Sequence, residues 1–193
     1  QFLKALRSEF EKKNLYSEDA QDADIILFNS HHLPSKVINL KKKYSPKIFI
    51  HRIDGPMDLY NYYKDRRDAI VYKLNRYISD GTIFQSQWSK EENIKLGLKG
   101  TKFNSVIPNA PDLSLFYQTN KQKKISDKIK LISTSWSTNP NKGFEMLKFI
   151  DDNLDWTRFS MTFIGNSPIS FNNIKYKKAL PSNLLGKELQ KND

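Results

Sequence analysis

The chain has 193 residues, 38% of them hydrophobic, enough for one large or two small globular domains with buried cores. Lys and Arg number 32 against 21 Asp and Glu, a net charge of +11 that favours anionic partners: nucleotide phosphate, nucleic acid or an acidic membrane surface. The absence of cysteine excludes disulfides, thiolate catalysis and cysteine-ligated metal.

No apolar run approaches the length of a membrane span, and the N-terminus lacks the charged, apolar and small-residue segments of a signal peptide, so a cytoplasmic protein is expected. The chain opens on Gln1, already in helical periodicity, with Phe2, Leu3, Leu6 and Phe10 on one face. It stops as abruptly at Asp193, and a fragment of a longer protein is expected. Asp24 to Asn29 then form a short continuous apolar run of the kind buried on both faces in a parallel sheet. A short basic helix follows from Ser35 to Lys43, then a strand from Lys47 to Ile50 that ends at His51-Arg-Ile-Asp-Gly-Pro56. Leu59, Tyr63, Ile70, Leu74 and Ile78 are spaced for one face of a long helix over 59–79. A strand from Gly81 to Phe84, a helix from Ser86 to Leu96 and a strand from Phe103 to Ile107 complete a βαβαβαβ alternation.

The polar, Lys-rich segment 118–128 reads as a linker. Beyond it come a strand from Ile129 to Ser133, a helix from Lys142 to Ile150, a strand from Phe159 to Ile164, a short strand near Ile174 and a last helix from about Asn183. The expected architecture is therefore α/β, two Rossmann-like doubly wound parallel-sheet units, the second incomplete, with domains at 1–117 and 129–193. Ligands in open α/β sheets sit beyond the carboxyl ends of the strands, which selects the loops beginning at His51, Gln85, Ser133 and Gly165. In the third of these, Asn139-Pro-Asn-Lys-Gly143 opens onto a helix, where free backbone N–H groups, the helix dipole and Lys142 suit a phosphate. The plainer reading of that stretch alone is an ordinary βα loop with a solvated lysine.

Five segments stand together in order: His51-Arg-Ile-Asp-Gly-Pro56, Asp80 to Ser89, Val106 to Asp112 with Phe116, Ser135 to Gly143, and Phe163-Ile-Gly-Asn-Ser-Pro168. In that order and with those elements between them, residues 20–190 resemble the GT-B glycosyltransferases of family 4. The resemblance implies two Rossmann-like domains, an N-terminal acceptor side and a C-terminal side that binds a nucleotide sugar such as a UDP- or GDP-sugar. It implies retention at the anomeric carbon, no required metal or other cofactor, and a glycan or lipid-linked acceptor. Carried across by position, Lys142 and Gly143 match the family's lysine-glycine pair on the donor diphosphate. Gly165 matches the glycine that lets backbone approach the donor, and Ser135, Trp136 and Asn166 flank it. His51 and Asp54 are the candidate catalytic residues, with Arg52, Gly55, Gln85 and Ser86 on the acceptor side. The chain departs from the family where Trp136-Ser137 replaces a glycine-arginine pair whose arginine also binds diphosphate. The family's glycine-rich first loop would precede Gln1 and its glutamate pair would follow Asp193, so the polypeptide is expected to be inactive as it stands.

Plainer alternatives stay open. His51 at a strand end reads equally as structural or functional. His31 and His32 lack a partner at metal-ligand spacing. Tyr60, Tyr62, Tyr63, Tyr72 and Tyr77 fall at helical spacing that suits packing, and Trp136 fits a sugar face or a sheet edge. The runs Lys41 to Lys43 and Lys121 to Lys124 read as solvated faces, compatible with contact at an anionic membrane surface. No module signature supports nucleic-acid binding, and a non-catalytic carbohydrate- or partner-binding remnant is the remaining alternative.

Overall fold

A computed structural model describes residues 2–61, 65–118 and 127–193. It divides into two compact units, Gln1–Ala110 and Pro111–Asp193. Both are α/β with parallel sheets, as the alternation of elements implies.

The first unit runs α1 (Phe2–Lys12), β1 (Ile25–Asn29), α2 (Pro34–Lys43), β2 (Ile48–Ile53), α3 (Met57–Asn61), α4 (Arg66–Ile78), β3 (Gly81–Phe84), α5 (Gln87–Lys95) and β4 (Phe103–Val106). Its sheet order is β1-β2-β3-β4, all parallel. Crossovers between parallel strands are right-handed, so strands added steadily in one direction carry their connecting helices on one face. The core lies there. Phe28 and Phe49 of the sheet pack with Val37 of α2 and Leu74 of α4, and Ile53 and Phe84 pack with Val71 and Leu98. On the opposite face Ile25, Leu27, Ile48 and Phe103 remain exposed.

A continuous helix over 59–79 does not form. Asp65 is extended at φ −102° and ψ 121°, and its carboxylate caps α4 by accepting from the Arg67 amide. The Asp68 carboxylate reaches back to accept from the Met57 and Asp58 amides at 2.9 and 2.8 Å, satisfying donors at the start of α3. Short acidic side chains thus offer the backbone partners that compete with one long helix. Tyr62 and Tyr63 lie outside the described residues.

The second unit contains β5 (Ile129–Ser135), a 3-10 turn (Pro140–Lys142), α6 (Phe144–Asn153), β6 (Phe159–Gly165), β7 (Lys175–Lys177) and α7 (Ser182–Leu189). Its sheet order is β5-β6-β7, again parallel. Phe144 and Leu147 on one face of α6 pack on Met161, Phe163 and Ile174. The unit also takes in residues 111–117, because Gly186 in α7 sits so close to the Leu115 carbonyl that a β-carbon there would fall 2.2 Å from its oxygen. Residues 119–126, with most of the expected linker 118–128 and the lysines from 121 to 124, lie outside the described residues.

Loop 166–174 of this unit is held by one carboxylate. Asp151, fully buried at the end of α6, accepts from the backbone amides of Asn172, Asn173 and Ile174 at 2.7, 2.7 and 2.8 Å, and Lys148 Nζ stands 3.1 Å away. Burial opposes ionisation, but the three amides and the ammonium outweigh it and draw the carboxyl down to about 2. Among the described residues no helix is long and apolar enough to cross a membrane.

Candidate functional site

In the first unit the decisive fact is where β2 ends. It continues to Ile53, so His51 and Arg52 stand within a strand and point to opposite faces. Register pairs His51 with Phe28 and Thr82, on the helix-covered face. There the imidazole is 0% exposed and stacks on Phe28 with ring centroids 4.3 Å apart. Its Nε2–H donates to the Ser30 carbonyl at 2.9 Å, and Nδ1 is 3.4 Å from the Asn75 amide nitrogen of α4. Burial disfavours the imidazolium and lowers the pKa to about 4. His51 is thus corrected from a catalytic candidate facing a ligand to a neutral core residue.

Arg52 pairs in register with Asn29 and Ile83 on the other face. The strand-end loops enclose it to 6% exposure. Nη1 donates to Asn29 Oδ1 at 2.6 Å and to Asp54 Oδ1 at 2.7 Å, while Nη2 donates to Asn109 Oδ1 at 2.8 Å and Gln85 Oε1 at 3.3 Å. One guanidinium therefore ties together the carboxyl ends of β1, β2, β3 and the segment after β4. Its planar fork, which a lysine lacks, is what allows four acceptors to be held at once. Asp54, expected to be catalytic, and two of the side chains expected on the acceptor side, Arg52 and Gln85, are thereby brought into one cluster. Asn29 and Asn109 join it, and sequence reasoning did not single them out as site residues.

Ser86 acts as the N-cap of α5, its hydroxyl accepting from the Ser89 amide at 3.0 Å. Ser89 Oγ and Asn93 Nδ2, both buried, donate to the Asp54 carbonyl at 3.0 Å each. Helix α5 thus holds the Asp54-Gly55 turn in place. Gly55 lets the Trp88 ring come close there, since a β-carbon would stand 2.8 Å from it and the ring would have to shift.

In the second unit Ser135 and Gly165 are register partners at the carboxyl ends of β5 and β6. Gly165 has φ +148°, and a β-carbon would fall 1.9 Å from the Ser135 carbonyl oxygen, so no other residue fits without moving backbone. Asn166 ties the two loops: its amide N–H donates to the Ser135 carbonyl at 2.9 Å and its side chain to the Trp136 carbonyl at 2.7 Å. The Trp136 indole is 80% exposed and does not cover the sheet edge. Ser135 Oγ donates to the Ser137 carbonyl, Ser137 Oγ accepts from the Asn139 amide, and Asn139 Oδ1 caps the 3-10 turn through Asn141. The turn ends at exposed Lys142, and Gly143, at φ +79°, is the N-cap of α6. All six residues expected on the donor side therefore lie at one end of one sheet, on the last residues of β5 and β6 and the loops that follow them.

No protein-family model matches this sequence, and no similar sequence is found among curated proteins. Among solved structures the chain is similar to an apo structure of OtsA, a GT-B glycosyltransferase, with a TM-score of 0.53 over 96% of this chain and 13% identity. The fold is GT-B-like. The chain spans 53% of the length of that solved structure. At such identity the likeness concerns the path of the backbone.

Proposed function

We propose that this GT-B-like chain serves in glycosyl transfer from a nucleotide sugar, in the manner of the retaining family 4 enzymes. The second unit would hold a UDP- or GDP-sugar and the first a glycan or lipid-linked acceptor. The observation that carries the reading is the close approach of Gly165 to Ser135 beside the Lys142-Gly143 entrance to α6. A nucleoside diphosphate gains negative charge as the glycosidic bond breaks. A lysine and the amides of a helix N-terminus stabilise that charge without a metal. A glycine at the end of the next strand lets its backbone lie directly against that of Ser135, which brings the two strand-end loops together beside the donor. Arg52 is fully engaged in holding strand ends, so the acceptor side works through groups that it positions: Asp54, Gln85 and Asn109. The exposed lysines of α2, Lys36, Lys42 and Lys43, suit an acceptor presented at an anionic membrane surface.

Calorimetric titration with UDP and with GDP tests this reading. One of them is expected to bind, and Lys142→Ala to weaken that binding about 10-fold or more, the loss of one charge-assisted contact of about 1.5–3 kcal/mol. Equal affinities for the two proteins, or no binding of either diphosphate, would refute the assignment of the donor site.

A further inference from the structure

Trp88 is the second residue of α5 and remains 54% exposed, although it sits at the carboxyl end of a parallel sheet beside the Arg52 cluster. The edge of its six-membered ring abuts Gly55: a β-carbon there would stand 2.8 Å from Cζ3, 3.5 Å from Cη2 and 3.8 Å from Cε3, which leaves the ring faces clear of the glycine. The glycine thus gives the indole a seat against bare backbone. That seat is held from beneath. Buried Ser89 and Asn93, one and five residues further along the helix, anchor α5 to the Asp54 carbonyl. From the other side, Arg52 fixes the Asp54 carboxylate through Oδ1 at 2.7 Å. The Asp54 side chain keeps 29% of its surface exposed, and Oδ2 lies outside that hydrogen bond.

A rigid aromatic surface open to water, next to an oriented carboxylate, has a defined chemical complement. A pyranose ring presents C–H bonds on a face and hydroxyl donors around its edge. The indole face matches the first and the carboxylate matches the second. A phosphate is disfavoured by the negative charge of Asp54, in contrast to the cationic loop of the second unit.

We propose that Trp88, seated on Gly55, is the stacking platform for a neutral pyranose ring of the acceptor, with Asp54 accepting a hydrogen bond from one of its hydroxyls. The inference rests on the acceptor role given above to the first unit and names the group that recognises the sugar there. Trp88 is a specificity-determining residue in this scheme, and Gly55 positions it.

Saturation-transfer NMR with the methyl glycosides of glucose, galactose, mannose and N-acetylglucosamine, on the full chain, tests the proposal. At least one glycoside is expected to show saturable transfer to its ring C–H protons. Trp88→Phe keeps an aromatic face and retains the effect. Trp88→Ala abolishes it, and Gly55→Ala, which pushes the indole off its seat, weakens it several-fold. Circular dichroism of each variant confirms that the fold is intact, and the exposed Trp88 makes its replacement mild. No saturable transfer from any of the four glycosides, or transfer that survives in Trp88→Ala, overturns the platform. A parallel UDP and GDP titration separates the two claims. Diphosphate binding without glycoside transfer sinks the platform and leaves the donor site standing, whereas glycoside transfer without diphosphate binding does the reverse.

Discussion

Replacing Arg52 by lysine keeps the charge and removes the fork. The guanidinium donates from Nη1 to Asn29 and Asp54 and from Nη2 to Asn109 and Gln85, at 2.6, 2.7, 2.8 and 3.3 Å. A lysine ammonium reaching the same place holds Asp54 and one amide oxygen but cannot span both branches. Two hydrogen bonds from a charged donor are then lost, each worth about 1.5–3 kcal/mol, so Arg52→Lys is expected to destabilise the first unit by about 3 kcal/mol or more. Arg52→Met goes further, because it leaves the Asp54 carboxylate without its cation at a site where Arg52 is only 6% exposed. Breaking such a pair costs about 3–5 kcal/mol. Urea unfolding, followed by hydrogen exchange of peptides covering β3, β4 and residues 107–110, reads the effect and assigns it to the first unit. The protection lost should centre on the segment carrying Asn109, the partner furthest from Arg52 in sequence. A Lys variant within about 1 kcal/mol of the parent, or with unchanged protection around Asn109, would show that the fork does not organise the strand ends.

Two further outcomes follow from buried titratable groups. Asp151→Asn places an amide nitrogen against the donors that now face the carboxylate and should cost the second unit about 2–4 kcal/mol at neutral pH, with faster exchange at the amides of Asn172, Asn173 and Ile174. Because the folded pKa is depressed to about 2, the parent keeps this stability above the ordinary carboxylate range and loses it as pH falls from about 4 through 2, a dependence the Asn variant lacks. His51 is likewise depressed, to about 4, so the first unit should lose up to about 3 kcal/mol as pH falls from about 6.5 to 4, while the unfolded chain takes up the proton and the fold cannot. His51→Gln, monitored by denaturant midpoints across that window, should flatten the slope, and an unchanged slope would rule out His51 as its source.

The succession of short Ile- and Phe-rich runs and helical stretches was enough to settle the class of the molecule, because each crossover between parallel strands needs a helix, although β1 and β2, expected to be buried on both faces, leave Ile25, Leu27 and Ile48 exposed on one. Local chemistry was equally legible where a residue type serves a backbone need. Gly143 begins α6 with a positive φ, and Ser86, expected on the acceptor side, caps α5, whereas the need for Gly165 comes from a distant partner, the Ser135 carbonyl on the neighbouring strand. What lay beyond local pattern was parity and distant contact. Stopping β2 at Ile50 made His51 a loop residue; three more residues of strand turn it into the core and send Arg52 to the opposite face. Nothing in the sequence near Arg52 shows that Asn109 meets it, and nothing near Gly55 shows that Trp88 rests on it, since both pairings arise only when β2, β3 and β4 lie side by side. The sequence by itself thus determined the elements and the ends at which their loops gather. Tertiary packing decided which side chains at those ends are spent on holding strands together and which are left facing solvent, because that choice depends on strand register and on neighbours far away along the chain.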